Sequence, residues 1–126
     1  MIVSSLDHLV LTVKDIAVTC AFYEGVLGME VLTFGPGRKA LLFGAQKINL
    51  HQAGSEIEPK ANRPTPGSAD LCFLTATPIT EVIEHLKENE VEIIAGPVQR
   101  SGASGPLVSV YFRDPDLNLI EVSNRV

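Results

Sequence analysis

Basic residues are scarce in this chain. Ten Lys and Arg stand against 15 Asp and Glu, for a net charge of −5 over 126 residues. The cations form no stripe, which argues against nucleic acid or an anionic membrane as the main partner and leaves room for a small anionic ligand held by one or two Arg. Long apolar runs are missing too, and no stretch is long enough to span a bilayer. The opening residues Met1-Ile2-Val3-Ser4-Ser5-Leu6-Asp7-His8 lack a basic region followed by an apolar one, so the expectation is a cytoplasmic chain without a signal peptide. Cysteine is limited to Cys20 and Cys72, with no CxxC and no His beside either. That excludes a disulfide framework and argues against a cysteine nucleophile; both are expected as buried free thiols.

What is there is a core. Apolar residues make up 45% of the chain, enough for one compact domain. Leu6 to Val13 is expected as a buried strand. Asp15 is placed to cap a helix whose apolar stripe is Ile16, Cys20, Tyr23 and Leu27, with Gly28 as its left-handed stop. Strands are expected over Met29–Phe34, Lys39–Gly44 and Lys47–Gln52. Residues 53–68, with Gly54, Pro59, Pro64, Pro66 and Gly67, read as a linker. The order then repeats. A strand over Ala69–Thr75 precedes a helix capped by Thr77, with Pro78 in first position and a stripe of Ile79, Val82, Ile83 and Leu86. Strands follow over Val91–Ile94, Leu107–Arg113 and Leu117–Ser123. The fold expected is α+β, two βαβββ modules (1–52 and 69–126) forming a curled mixed sheet around a cup.

The polar residues recur with the elements. His8 opens the first strand as Asp70 opens the fifth, and Ile48-Asn49-Leu50-His51 reads as the counterpart of Asn118-Leu119-Ile120-Glu121. Alternation along each strand separates an apolar face from a mixed one that carries His8, His51, Asp70 or Glu121. Imidazole and carboxylate are suitable ligands for Fe(II), Mn(II), Ni(II) or Zn(II), and a site built from them leaves coordination positions open. Glu121 stands out because a carboxylate on a buried-looking strand is costly unless paired or metal-bound. His85 falls among Glu81, Glu84 and Glu88 on the polar face of the second helix and is expected in solvent. The segment Gln99 to Pro106 reads as a hairpin connection or a mobile lid whose Arg100 meets an anionic substrate.

Three segments carry a family resemblance: Leu6-Asp7-His8-Leu9-Val10-Leu11-Thr12-Val13, Phe22-Tyr23-Glu24-Gly25-Val26-Leu27-Gly28-Met29-Glu30-Val31, and Tyr111-Phe112-Arg113-Asp114-Pro115-Asp116-Leu117-Asn118-Leu119-Ile120-Glu121. Together they resemble the vicinal oxygen chelate superfamily, the group of glyoxalase I, fosfomycin- and bleomycin-resistance proteins and extradiol dioxygenases. Within it, the chain is most similar to small glyoxalase-domain proteins labelled as related to biphenyl-diol dioxygenase. The resemblance implies a divalent transition metal (Ni, Zn, Fe or Mn) held by His8, His51 and Glu121, with Asp70 where the family usually has His. It also implies a homodimer in which modules pair across chains, a small-molecule substrate, and Glu121 and Tyr111 as catalytic groups; Asn49 and Arg100 are the residues expected to contact the substrate. The favoured activity is a glyoxalase-like lyase or isomerase acting on adjacent oxygens. An Fe(II) ring-cleaving dioxygenase using Tyr111 and a metal-free drug- or metabolite-binding protein are the alternatives.

Overall fold

The computed structural model describes all 126 residues and contains eight strands and two helices. They fall into two compact units, Met1–Pro66 and Gly67–Val126. The first holds β1 (Leu9–Val13), α1 (Ile16–Leu27), β2 (Glu30–Phe34), β3 (Arg38–Phe43) and β4 (Gln46–Gln52). The second holds β5 (Asp70–Leu74), α2 (Ile79–Glu88), β6 (Ala95–Gly102), β7 (Gly105–Arg113) and β8 (Leu119–Arg125). Each unit is βαβββ and forms its own four-stranded mixed sheet, ordered β1-β4-β3-β2 and β5-β8-β7-β6. Its first and last strands pair in parallel, and the other neighbours pair antiparallel.

Alternation decides what each sheet buries. In the first unit Leu11, Val13, Leu41, Ile48 and Leu50 lie on one face and are buried. Helix α1 packs against β2, β3 and β4 and contributes Tyr23 and Thr19. Its ends follow from sequence. Asp15 accepts a 3.2 Å bond from the Val18 N–H, and Gly28 takes the left-handed conformation at φ 65° that a side chain resists. The buried line is Thr19 and Tyr23; Ile16 and Cys20 are only half-buried, because the sheet meets the helix slightly to one side of the apolar stripe.

In the second unit Val110, Phe112, Ile120 and Val122 share the buried face, and α2, which packs on β7, adds Val82 and Leu86. The start of α2 differs from the sequence expectation. Pro78 is the cap residue, and no local side chain caps the helix. Asn124, from β8, accepts a 2.8 Å bond from the Ile79 N–H instead, while Thr75 serves the Thr77 N–H. A tertiary contact thus replaces the local cap, which no reading of neighbours in sequence reveals.

Three other expectations shift. Strand β1 begins at Leu9, so His8 precedes it. Val91–Ile94 is not a strand; β6 starts at Ala95 and runs through Arg100 to Gly102, so Arg100 sits on a hairpin arm. Cys72 is exposed rather than buried, because it lies on the face of β5 opposite the helix.

Candidate active site

The chemistry-bearing residues lie on the face of each sheet that its helix does not cover. In the second unit the ladders set Glu121 level with Cys72 on β5 and Tyr111 on β7. The next row brings Ser123 level with Ser109 and Leu74. Glu121 is half-buried, and its Oε2 accepts bonds from Ser109 Oγ at 2.7 Å and Ser123 Oγ at 3.3 Å. Both hydroxyl residues are fully buried. Glu121 thus meets the cost of a carboxylate on a buried strand partly through hydroxyl donors. Tyr111 accepts a 3.0 Å bond from Arg100 Nε, and the guanidinium lies 5.5 Å from its ring centroid. Burial pushes the Tyr111 phenol up; the Arg100 bond counters this, and the Glu121 carboxylate adds to the rise. A cavity of about 300 Å³ opens beside Glu121, lined also by Cys72, Leu74, Gly102, Leu107 and Arg125. Partial desolvation at the sheet surface raises the Cys72 thiol above its ordinary value, which favours its protonated form. Asp70 is exposed at the start of β5, two residues before the Glu121 row.

In the first unit His51 is buried on β4, level with Thr12. Desolvation lowers its pKa, Arg38 lowers it further, and Glu56 pulls the other way. The shift favours the neutral imidazole, the form that ligates a metal or accepts a hydrogen bond. His8 is exposed, with Nδ1 2.8 Å from Asp7 Oδ2. That contact orients the ring and points to Nε2 as the free nitrogen. The two histidines do not come together along the strand: His8 stands four residues before Thr12, or about 13 Å at strand rise. Asn49 is closer to His8, level with Val10, and its buried Oδ1 has no hydrogen-bond partner.

The registers also revise the internal repeat. Leu9 pairs with Ile48 and Val10 with Asn49, as Leu71 pairs with Ile120 and Cys72 with Glu121. The counterpart of Glu121 is therefore Asn49, and that of His51 is Ser123. Asn49 and His51 share a face, so alternation could not choose between them; only the ladder does. Each unit carries one diagonal pair, His8 with Asn49 and Asp70 with Glu121. Within neither unit do three His, Cys, Asp or Glu side chains converge. Sequence reading missed Ser109 and Ser123, whose signal was their shared strand parity with Tyr111 and Glu121. His85 is exposed on α2 and belongs to no such group.

Two sheets of this topology with polar residues on their uncovered faces define a glyoxalase-type fold. Residues 5–122 match the Glyoxalase/Bleomycin resistance protein/Dioxygenase superfamily, and the chain belongs to it. It is 60% identical over 126 residues to virulence protein STM3117 of Salmonella typhimurium, covering 100% of this chain and 88% of that protein. The crystal structure of STM3117 superposes with a TM-score of 0.97 over 100% of both chains. Glyoxalase domain-containing protein RDO1 of Mycosarcoma maydis is 57% identical over 122 residues, 97% of this chain and 69% of that protein. More distantly, a lactoylglutathione lyase from Agrobacterium tumefaciens is 26% identical, with a TM-score of 0.72 over 96% of this chain and 93% of its own. No helix of the chain is long and apolar enough to cross a membrane.

Proposed function

We propose that this chain is a divalent-metal-dependent enzyme of the vicinal oxygen chelate type, acting as a glyoxalase-like lyase or isomerase on a small substrate with adjacent oxygens. The observation that carries the reading is Glu121, a half-buried carboxylate held at Oε2 by two hydroxyls and by no cation. The donor chemistry fits a borderline divalent ion: one imidazole, two carboxylates and the partnerless amide oxygen of Asn49. His8, Asp70, Glu121 and Asn49 are the residues that would hold the metal. His51, two residues along the same face of β4 from Asn49, is the alternative ligand from that strand. When bound, the metal supplies Lewis-acid stabilisation of negative charge developing on the substrate oxygens.

The chain's own residues supply the rest. Ser109 and Ser123 fix one oxygen of Glu121, so the carboxylate meets the substrate in one orientation. In the isomerase reading, Glu121 or Asp70 takes a proton from one substrate carbon and returns it to the neighbouring one. A second reading, ring cleavage with Fe(II), is favoured by a specific contact. Tyr111 stands directly across the ladder from Glu121, its phenol kept protonated and hydrogen-bonded to Arg100. That places a proton donor beside the carboxylate.

The test is the metal content of protein purified without a metal-affinity tag, beside Glu121→Ala. About one metal per chain, lost in the variant, supports the reading. Turnover of a hemithioacetal with nickel or zinc selects the isomerase, and oxygen uptake with a catechol and Fe(II) selects the dioxygenase. No metal after anaerobic loading with Fe(II), Ni(II) and Zn(II) rejects both and leaves a metal-free binding protein.

A further inference from the structure

Two cations in the first unit have no counterion. Arg38 and Lys47 both reach the ring of Phe34, the guanidinium 4.8 Å and the ammonium 4.1 Å from its centroid. Neither belongs to an ion pair. In a chain of net charge −5, holding two like charges over one ring with acidic groups to spare elsewhere is unfavourable unless a negative charge joins them. The acidic groups nearby do not do so. Glu30 shares the row of Leu42 and Lys47 yet forms no ion pair. Glu56 turns its carboxylate to the Gly54 N–H.

The donors are also left open. Arg38 Nε is buried and has no hydrogen-bond partner, an expensive state for a charged donor. Strand parity places Phe34, Arg38, Lys47, Asn49 and His51 on the same uncovered face of the sheet. Phe34, Arg38 and Lys47 are all half-buried, a setting in which a charge-assisted bond to an anion gains strength over one in open water.

The geometry points to an oxyanion site on this face, in which Arg38 and Lys47 grip the anionic group of a small ligand above Phe34. The ligand class is a compact molecule ending in a carboxylate or a phosphate-type group. This deepens the proposed function by naming the substrate's chemistry: besides its adjacent oxygens, the substrate carries an anionic end held by Arg38 and Lys47. It rests on that reading for the ligand's being the substrate, and on the first unit alone for the binding.

The experiment is an NMR titration of the metal-free full chain, in chelator, with inorganic phosphate and separately with malonate, at constant ionic strength set with chloride. Arg38 Nε–Hε and the amides of Phe34 and Lys47 are expected to shift saturably with at least one probe. The stronger of the two identifies the anion type. Arg38→Gln and Lys47→Gln are expected to weaken that binding about tenfold each while keeping the native spectrum. No saturable shift with either probe overturns the site, as do shifts centred elsewhere or affinities unchanged in both variants. Metal content is read on the same preparations. Oxyanion binding in a chain that takes up no metal retains this site and rejects the enzyme reading; metal uptake without oxyanion binding does the reverse.

Discussion

Ser109 Oγ lies 2.7 Å from Glu121 Oε2 and 2.7 Å from Ser123 Oγ, so a buried hydroxyl pair holds the carboxylate from beneath. Cys72 Sγ extends the chain, 3.4 Å from Ser123 Oγ. Ser109→Ala removes the shorter of the two bonds to Glu121. A loss of about 1–2 kcal/mol in unfolding free energy is expected from urea titration. Metal affinity is expected to fall about tenfold, as for other groups that orient a ligand. Unchanged stability and unchanged metal content together would show that the hydroxyl pair does not position Glu121.

His51 gives the fold a pH dependence. Burial and Arg38 hold its folded pKa below the ordinary value. The unfolded chain therefore takes up the proton first as pH falls. Stability on this account is full above about pH 6.5, the unfolded value. It declines as pH drops from there toward the folded pKa and levels off below it. His51→Gln is expected to flatten that part of the curve. The check is the urea midpoint at several pH values on either side of the unfolded pKa, for both proteins. Parallel curves would contradict it.

The phenol of Tyr111 is expected to ionise above the usual tyrosine range, since burial and Glu121 outweigh the Arg100 bond. Arg100→Gln removes the stabilising cation and moves the ionisation higher still. Phenolate absorbance in a Tyr23→Phe background reads Tyr111 alone, because the chain has two tyrosines. A downward move in Arg100→Gln would show that the hydrogen bond does not act on the ionised form.

The turn that delivers β8 is held by Asp114. Its Oδ1 accepts from the N–H groups of Asp116 and Asn118 at 2.9 and 3.0 Å, and its Oδ2 from Asn118 Nδ2 at 2.8 Å. Asn118 Oδ1 in turn accepts from the Ala69 N–H at 2.8 Å, tying the turn to the entrance of β5. Asp114→Ala leaves several buried donors unmet and is expected to cost about 3 kcal/mol in urea unfolding. Asp114→Asn keeps an acceptor and should cost clearly less. Equal losses in the two variants would assign the effect to packing rather than to these bonds.

The tandem βαβββ order was legible because its signals are local. Asp15 and Gly28 bound α1 through their own backbone preferences, and period-two alternation marks which face of β4 and β8 is buried. Val91–Ile94 misled because a short β-branched run reads as a strand, while Ala95 to Gly102, with Gly96 and Pro97, pairs with β7 despite weak local propensity. Tertiary pairing overrode propensity there.

The sequence by itself determined that Glu121, Tyr111, His51 and Asn49 stand on the mixed faces of their strands, since side chains alternate whatever the strand's partner. Which of them are level with one another was decided only by the folded ladders. Register moved the counterpart of Glu121 from His51 to Asn49, set Tyr111 opposite Glu121, and brought Ser109 under its carboxylate. A slide of two residues preserves every face and changes every neighbour, so alternation cannot encode it. Long-range packing and hydrogen bonding fix it instead.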